Sequence, residues 1–303
     1  MPDSFVIAVI PQGSTHRYWK LMHAGAQKAA RELQAAGTTV EVLWKGPIRE
    51  GDHEEHKQIV ESFVRQGVDG IVLCPFDSHF LVPTVEDAAR KNVPTVVIDS
   101  ELDTARIVCY VGTDNTKAGA LAADRMGETL HGRGVVFVQR YGRGSASTEA
   151  REAGFIGRIR DKFTSMSVIT STEFAGGTRD SAKRAADSFL AKGASTIQGV
   201  FTPNESSTTG MLMALQGISL PNRLAFVGFD HSDTLAAALQ CKQIDALVAQ
   251  DPFRMGELGV KSIIDFFLGR HVPKRVDTGA ILVTPENMKT PVIQNLLNPP
   301  LAD

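Results

Sequence analysis

The stretch GIVLCPFDSHFLVPTVEDAARKNVPTVVID, residues 70–99, contains the pattern that decides the fold. It begins with a short apolar run, continues through an amphipathic segment of helical length and ends with a second short apolar run. Apolar runs of strand length that alternate with helical segments are typical of a parallel sheet flanked by helices. The stretch therefore predicts a strand, a crossover helix and a parallel strand.

The same alternation continues along the chain in two series of apolar runs. The first half contains FVIAVI (5–10), TVEVLW (39–44), GIVLC (70–74), TVVI (95–98) and IVCYV (107–111), and the second half contains GVVFVQ (134–139), SVITS (167–171), GVFT (199–202) and LAFVGF (224–229). Between them lie helix candidates such as HAGAQKAARELQAAG, which ends on Gly37, a residue type favoured at helix C-termini. The chain is therefore predicted to be an α/β protein.

Equivalent positions in the two series keep a nearly constant spacing. The offset is 129 to 131 residues for three pairs: Ile10 with Gln139, Cys74 with Pro203, and Asp99 with Asp230. Unrelated strands would not keep this register, so we interpret the halves as two copies of one open α/β unit, far longer than a solenoid repeat. Later segments complete the two sheets: ALVAQ (246–250), a helix near 254–268 and GAILV (279–283).

This repeat predicts two Rossmann-like lobes with parallel-sheet cores flanked by helices. The N-terminal lobe is predicted to comprise residues 1–113 and 251–278, and the C-terminal lobe residues 114–250 and 279–303. The chain must then cross between lobes near 112–115, 250–252 and 277–279. A length of 303 residues is sufficient for two cores of ordinary size.

Composition and charge exclude several classes of protein. The net charge is −2, with 32 basic and 34 acidic residues spread evenly, so no polycationic face is available for nucleic acid or anionic membranes. No apolar run approaches the roughly 18 residues that a membrane span requires. The first strand begins at Phe5 without a leader peptide before it, which is also expected of an exported protein whose leader has been removed.

No motif for catalysis, a metal or a cofactor is recognisable. The 3 cysteines are too few and too scattered for a disulfide framework or a zinc site. The histidines lack metal-ligand spacing, and His53 and His56 are predicted to lie on a charged helix face. GRG at 142–144 lacks the third glycine of a dinucleotide site, and the serines after it lack the flanking glycine of a nucleophile elbow. We therefore predict no enzyme activity, no cofactor and no metal.

Polar residues follow the strands at their carboxyl ends in both halves. Asp99 closes TVVID and Asp230 closes FVGFD, while PFD (75–77) and PNE (203–205) follow the preceding strands. Open parallel sheets bind ligands in the crevice outside these strand ends. Two such units facing each other are expected to combine their crevices into one ligand cleft.

Six segments, taken in order, resemble the type I periplasmic binding proteins of sugar importers, the group that contains ribose-binding protein. They are IAVIPQGSTHRYWKLMHAGAQKAA, VGTDN, GSASTEAREAGF, VFTPNES, FVGFD and DALVAQDPFRMGELGV, which extend over nearly the whole chain. The resemblance implies two lobes joined by a three-strand hinge, which close on a sugar or sugar-like polyol. The membrane permease of an ABC importer then recognises the closed form. We further expect a periplasmic or otherwise extracytoplasmic monomer with no nucleic-acid partner.

The loop after the first strand carries four candidate ligand-binding residues. Sugars need paired hydrogen-bonding groups for their hydroxyls and aromatic rings for their C–H faces. Gln12, His16, Tyr18 and Trp19 match pocket positions of the family, where two phenylalanines stand in place of Tyr18 and Trp19. We expect at least one of the two rings to stack on the ligand. His16 has a helix N-cap or a solvated position as its alternative.

Four further candidates are polar residues at or near strand ends. Asp99 and Asp230 are the strongest, because an ionised carboxylate accepts from two neighbouring hydroxyls at once, although each could instead cap the following helix. Asn204 and Gln250 carry both donors and an acceptor, with a turn or hinge role as the alternative. All four are predicted to contact the ligand.

The segment GSASTEAREAGF departs from the family pattern. In register from Gly154-Phe155, the position of a ligand-binding arginine of ribose-binding protein is occupied by Glu149. That reverses the local charge, so ribose itself is not the expected ligand. Arg151 matches another arginine that family members direct at sugar, with a structural ion pair as the alternative. Both residues are candidate ligand contacts.

Other functions remain open at this point. The ligand-binding core of a lac-repressor-like transcription regulator has the same two lobes, but it needs an N-terminal helix-turn-helix, and the first strand begins at Phe5. A receptor for a sugar signal would have a similar pocket. An enzyme is the least favoured alternative, because no nucleophile and base lie together at a strand end.

Overall fold

The computed structural model describes residues 4–218 and 223–299, which form two compact units. The first lobe contains the chain up to Thr113 and Asp251–Thr278, and the second lobe contains Asp114–Gln250 and Gly279–Asn298. Up to Asn298, the chain therefore passes from one lobe to the other three times. Pro299 groups with the first lobe, and residues 300–303, which the sequence assigns to the C-terminal lobe, lie outside the described residues.

Strands and helices alternate as the apolar pattern predicts. The strands are β1 Ser4–Ile10, β2 Thr39–Trp44, β3 Gly70–Leu73, β4 Thr95–Ile98, β5 Tyr110–Gly112, β6 Gly134–Val138, β7 Met166–Thr170, β8 Gly199–Phe201, β9 Ala225–Phe229, β10 Ala246–Gln250, β11 Arg275–Asp277 and β12 Ala280–Val283. The helices are α1 Arg17–Ala35, α2 His53–Gln66, α3 Val82–Arg90, α4 Asn115–Thr129, α5 Ala146–Lys162, α6 Arg179–Gly193, α7 Glu205–Gln216, α8 Asp233–Gln240, α9 Pro252–Phe267 and α10 Pro291–Leu297. The apolar pattern does not predict β11, because RVD has only one apolar residue. In the part of the chain that is described, no helix is both long and apolar enough to cross a membrane.

Each lobe contains one six-stranded sheet, and the strand order is the same in both. The order is β2-β1-β3-β4-β5-β11 in the first lobe and β7-β6-β8-β9-β10-β12 in the second. All neighbours are parallel except β12, which runs antiparallel to β10. Apolar side chains cover both faces of each sheet. The predicted pair of Rossmann-like lobes with parallel-sheet cores is therefore confirmed.

Two pairs of helices pack with their backbones in contact. A Cβ atom on Gly25 of α1 would lie 1.8 Å from the Phe253 carbonyl oxygen of α9. A Cβ atom on Gly154 of α5 would lie 2.1 Å from the Thr116 carbonyl oxygen of α4. Because non-bonded heavy atoms do not approach so closely, only glycine fits at these two positions. The α1–α9 pair and the α4–α5 pair each cover one face of a sheet.

His56 is buried, so the prediction that it lies on a charged helix face is wrong. It is 2% exposed, and its Nε2 atom has no hydrogen-bond partner among residues 4–218 and 223–299. It precedes Ile59, Val60 and Phe63 on the apolar face of α2, and this spacing outweighs the acidic residues beside it. Burial, and secondarily the charge of His53, lowers the pKa of His56 to about 4.

This buried imidazole is expected to make the protein less stable in acid. The pKa is about 4 in the folded chain against 6.5 when unfolded, so the unfolded state binds more protons between these values. Stability therefore falls as the pH drops below about 6.5, by about 2–3 kcal/mol at pH 4.5. Urea unfolding of the wild type and His56→Leu at pH 7 and 4.5 measures this contribution, because the other groups titrate in both proteins. The same acid-induced loss of stability in both would contradict it, and His79→Leu at an exposed site is the control.

Candidate functional site

The first lobe has a polar cluster where β1, β3 and β4 end. Asp99 directly follows β4 and has a left-handed backbone with φ of 65°. Few residue types other than glycine adopt this conformation, and aspartate is among those that tolerate it best. The Asp99 amide donates to the Val111 carbonyl at 2.9 Å, and the residue is 5% exposed. The carboxylate is therefore held at the strand end, with little freedom to move.

Three neutral side chains donate hydrogen bonds to the Asp99 carboxylate. The Tyr18 hydroxyl donates to Oδ1, the Gln12 amide to Oδ2 at 3.4 Å and the Cys74 thiol to Oδ2 at 3.2 Å. Gln12 also donates to the Pro75 carbonyl at 2.9 Å, which joins the loops after β1 and β3. Burial and the neighbouring Asp99 charge raise the pKa of the Cys74 thiol. The thiol therefore stays protonated and remains a donor.

Trp19 and His16 meet at Glu50 instead of at Asp99. The Trp19 indole donates to Glu50 Oε1 at 2.7 Å, and His16 Nδ1 lies 3.6 Å from the same oxygen. Trp19 is 4% exposed in the apolar core, and its ring meets that of Tyr18 edge-on at 4.9 Å between centroids. Of the two aromatic candidates, Tyr18 thus reaches the carboxylate cluster and Trp19 supports it from the core.

The second lobe repeats this arrangement around Asp230. Asp230 follows β9 with the same φ of 65°, and its amide donates to the Val248 carbonyl at 2.8 Å. Its carboxylate accepts from the Gln250 amide at 2.7 Å and from the Glu205 backbone N–H at 3.2 Å. Asp99 and Asp230, which the sequence offset pairs, therefore occupy equivalent positions in the two sheets.

Arg151 lies at the centre of the second cluster. Its Nε donates to Asn115 Oδ1 at 2.8 Å, its Nη1 to the Pro203 carbonyl at 3.0 Å and its Nη2 to Gln250 Oε1 at 2.8 Å. One guanidinium thus connects the beginning of α4, the end of β8 and the end of β10. Arg151 is 3% exposed, so its orientation is fixed on every side by protein.

The buried charge of Arg151 is compensated within the same lobe. Gln250 accepts from Arg151 through its oxygen and donates to Asp230 through its nitrogen, so one amide bridges the cation and the anion. The guanidinium carbon lies 4.1 Å from the centroid of the fully buried Phe229 ring, a cation–π distance. Phe229 is a buried core residue of β9, and the Arg151 guanidinium packs on its ring.

Asn204 and Glu149 have local partners. Asn204 caps α7 by accepting from the Ser207 N–H at 3.3 Å, and the residues on either side of it both join the second cluster. Glu149 is exposed and accepts from the Gly144 N–H at 3.0 Å. Glu149 as a ligand contact, and with it the argument from charge reversal against ribose, therefore stays a prediction.

The sequence pattern does not single out Asn115 or Glu50, although both hold candidate residues in place. Asn115 is 4% exposed and begins α4 directly after a strand and a short crossing segment. An amide at a helix start beyond a strand end is a signal that could have identified it. Glu50 comes from the loop between β2 and α2, where no periodicity or motif marks it.

These clusters offer hydrogen bonding rather than bond-breaking chemistry. Carboxylates, amides, a guanidinium and a phenol can donate to and accept from several hydroxyl groups of a small ligand. Over residues 4–218 and 223–299, no three His, Cys, Asp or Glu side chains are grouped so that they could hold a metal ion. These groups are of the kinds that hydrogen-bond a polar ligand.

Comparison with known proteins gives a consistent result. The family model described as "Periplasmic binding protein domain" matches residues 7–270. The ribose import binding protein of Bacillus subtilis is 28% identical over 236 residues, which are 78% of this chain and 75% of that protein.

Solved structures with the same fold span nearly the whole chain. The periplasmic component of an ABC-type sugar transport system from Hahella chejuensis is 33% identical, with a TM-score of 0.86 over 92% of this chain and 99% of that one. A carbohydrate transporter solute-binding protein from Agrobacterium radiobacter, in complex with D-arabinose, is 30% identical, with a TM-score of 0.88 over 97% and 99%. Both cover the two lobes described above.

Proposed function

Because this chain belongs to the periplasmic binding protein domain family, we propose that it captures a sugar or a sugar-like polyol for an ABC-type importer. It is a solute-binding protein of the type I periplasmic fold and not an enzyme. The family inferred from the sequence is thus confirmed, and the transport function is favoured over the core of a transcription regulator.

The observation that carries this proposal is the pair of equivalent aspartates, Asp99 and Asp230. Each follows a central strand, each has a φ of 65° and each is less than a tenth exposed. A carboxylate held in this way can accept from two adjacent hydroxyls with charge-assisted strength. Adjacent hydroxyl pairs are the repeating feature of sugars and polyols, so both sites suit the same class of ligand.

The charges of the two clusters support a neutral ligand. In the first lobe the side chains that donate to Asp99 are uncharged, so a negative charge remains at that strand end. In the second lobe Arg151 and Asp230 are bridged by Gln250 and nearly cancel. A sugar acid or sugar phosphate would meet repulsion from the Asp99 carboxylate. Similarity to a ribose import protein and to a D-arabinose complex supports a neutral monosaccharide.

We propose that the polar clusters of the two lobes supply the ligand contacts. The proposed lobes are residues 1–113 with 251–278 and residues 114–250 with 279–303. The proposed contacts are Gln12, Tyr18 and Asp99 from the first lobe and Arg151, Asn204, Asp230 and Gln250 from the second, with His16 and Trp19 as supporting residues. In this proposal the protein works outside the cytoplasmic membrane as a monomer. Its closed form is recognised by the permease, and no nucleic acid takes part.

A thermal-shift panel tests the proposal. Monosaccharides, amino sugars, polyols and sugar acids are each added to the wild type at millimolar concentration. A ligand at 100 times its Kd stabilises the folded state by about 2.7 kcal/mol, so at least one neutral member is expected to raise Tm by several degrees. Sugar acids are expected to give no shift. A panel in which no sugar or polyol raises Tm would contradict the proposed function.

Asp230→Asn is the test of the site itself. It preserves the shape of the side chain while removing the charge that accepts from ligand hydroxyls, so the ligand-induced shift is expected to disappear. Asp161→Asn, at an exposed position of the same lobe where the carboxylate pairs only with its neighbour Arg160, is the matched control. An undiminished shift in Asp230→Asn would remove Asp230 from the site.

A further inference from the structure

Asp99 has an unfavourable backbone conformation that is held from both sides by one neighbouring strand. Its amide donates to the Val111 carbonyl at 2.9 Å, and its own carbonyl accepts from the Tyr110 hydroxyl at 2.9 Å. Both partners belong to β5, the strand that leads out of the first lobe. A left-handed residue other than glycine persists only where its surroundings hold it, so these two bonds keep Asp99 in place.

Tyr110 can reach the Asp99 carbonyl because Gly112 leaves room for its ring. Tyr110 is 4% exposed, and its side chain lies along its own strand. A Cβ atom on Gly112 would lie 2.3 Å from the Tyr110 hydroxyl oxygen and 2.6 Å from the ring carbon that bears it. Any larger residue at position 112 would therefore move the hydroxyl away from Asp99.

Arg275 packs on the ring of Tyr110. It is the register partner of Tyr110 in the β11–β5 ladder, and its guanidinium carbon lies 4.6 Å from the Tyr110 ring centroid. Its two Nη atoms donate to the two carboxylate oxygens of Glu101, at 3.0 and 2.5 Å. Glu101 is two residues beyond Asp99. The contacts therefore run from Asp99 to Tyr110, from Tyr110 to Arg275 and from Arg275 to Glu101, which the chain joins back to Asp99. We name Tyr110, Arg275 and Glu101 the Tyr110 clamp.

In the second lobe, leucine stands where the first lobe has the tyrosine of this clamp. The Asp230 amide donates to Val248, so the residue that corresponds to Tyr110 is Leu247, which precedes Val248. Leucine has no hydroxyl and cannot bond the carbonyl of the aspartate. The tyrosine of the clamp is therefore not part of what the two lobes share. The clamp lies where β5 and β11 lead to two of the three chain crossings.

We propose that Tyr110 and Arg275 are positioning residues that hold Asp99 in the conformation in which its carboxylate accepts from the ligand. Tyr110 acts through its hydrogen bond to the Asp99 carbonyl, and Arg275 acts by fixing the ring of Tyr110. The effect on ligand affinity rests on the proposed function. The effect on the Asp99 backbone does not, so each has its own test.

The first test is amide hydrogen exchange in the ligand-free protein. Tyr110→Phe removes only the hydroxyl and is expected to accelerate exchange at Asp99 and Ser100 by about three- to tenfold, the effect of losing one hydrogen bond. Arg275→Met is expected to accelerate it by about two- to fivefold. Arg270→Met removes an arginine of the same lobe that pairs with Asp265, and it is expected to leave exchange unchanged.

Localisation of the change separates positioning from general stability. Amides of β1 and β3 in the same sheet are expected to exchange at the wild-type rate in all three variants. Equal acceleration throughout the first lobe would mean that Tyr110 only stabilises the fold, and unchanged exchange at Asp99 and Ser100 would mean that the clamp does not hold them. Either result overturns the proposal.

The second test measures Kd by calorimetry for the sugar that gives the largest thermal shift. Tyr110→Phe is expected to weaken binding by about three- to tenfold in the wild-type background. Asp99→Gly removes the carboxylate and relieves the left-handed strain, so adding Tyr110→Phe to it is expected to change Kd less than about twofold. Equal weakening in both backgrounds would show that Tyr110 acts by another route and would overturn its positioning role. A panel without any ligand contradicts the proposed function, while the exchange measurement still decides the clamp.

Discussion

Replacing Arg151 with methionine is expected to weaken sugar binding by about 100-fold or more and to lower the free energy of unfolding by about 3–5 kcal/mol. The guanidinium is 3% exposed and donates to Asn115, Pro203 and Gln250. Methionine has a similar length but no donor, so three buried acceptors lose their partner. The charge of Asp230 also loses its nearest compensation through Gln250. Calorimetry with the sugar and urea unfolding measure the two losses.

Two variants make the Arg151 result interpretable. Arg151→Lys keeps the positive charge but cannot direct donors at three separated acceptors, so it is expected to recover part of the stability and little of the affinity. Arg160→Met removes an exposed arginine from the same helix and is expected to change neither quantity measurably. If Arg151→Met bound the sugar as the wild type does, the second cluster would not be part of the ligand site.

Replacing Gly154 with leucine is expected to lower the free energy of unfolding by about 4 kcal/mol or more, at the upper end of what overpacking costs. The first atom of any side chain at this position would lie 2.1 Å from the Thr116 carbonyl oxygen. This neighbour is a backbone atom in the first turn of α4, so it cannot rotate away as a side chain would. The two helices must separate, and apolar contacts along both are lost. Urea unfolding followed by far-UV circular dichroism measures the change.

Gly157 offers a matched control for this substitution, because it lies in the same helix. In the described part of the chain, a Cβ atom on Gly157 would have no atom within 4 Å apart from its own helix turn, so leucine fits without moving α4. Leucine also favours the helical conformation over glycine, and Gly157→Leu is expected to stabilise the protein by about 0.5–1 kcal/mol. Similar losses at both positions would show that helix contact is not what requires glycine at position 154.

The fold and the two aspartates could be predicted from the sequence because each depends on a local pattern. Apolar runs of strand length predicted most strands of the two sheets. The repeated offset paired Asp99 with Asp230 before any contact was known. Their shared φ of 65° and equivalent backbone hydrogen bonds follow from the same strand ending in both copies. β11 could not be predicted from the sequence, because a three-residue strand with exposed polar residues has no apolar period.

Which side chains face the interior was harder to predict, although helical spacing relative to buried residues indicates it for some of them. Arg151 lies three and four residues before the buried Gly154 and Phe155, whereas Glu149 lies on the exposed side of α5. Trp19 likewise falls on the same stripe of α1 as Met22, Ala26 and Ala29, which explains why it is buried. The partners that complete the clusters come from distant segments, and no spacing within the sequence links Glu50 to Trp19 or Tyr110 to the carbonyl of Asp99.

The three passages of the chain between lobes determine the order in which the protein can fold during synthesis. The first lobe begins at the N-terminus, but α9, which packs against α1, starts only at Pro252. Until the ribosome has released that helix, the apolar face of α1 has no cover, although most of the second lobe has already emerged. The half that is made first is therefore completed late, and chaperone binding during translation is expected at the exposed surface of α1.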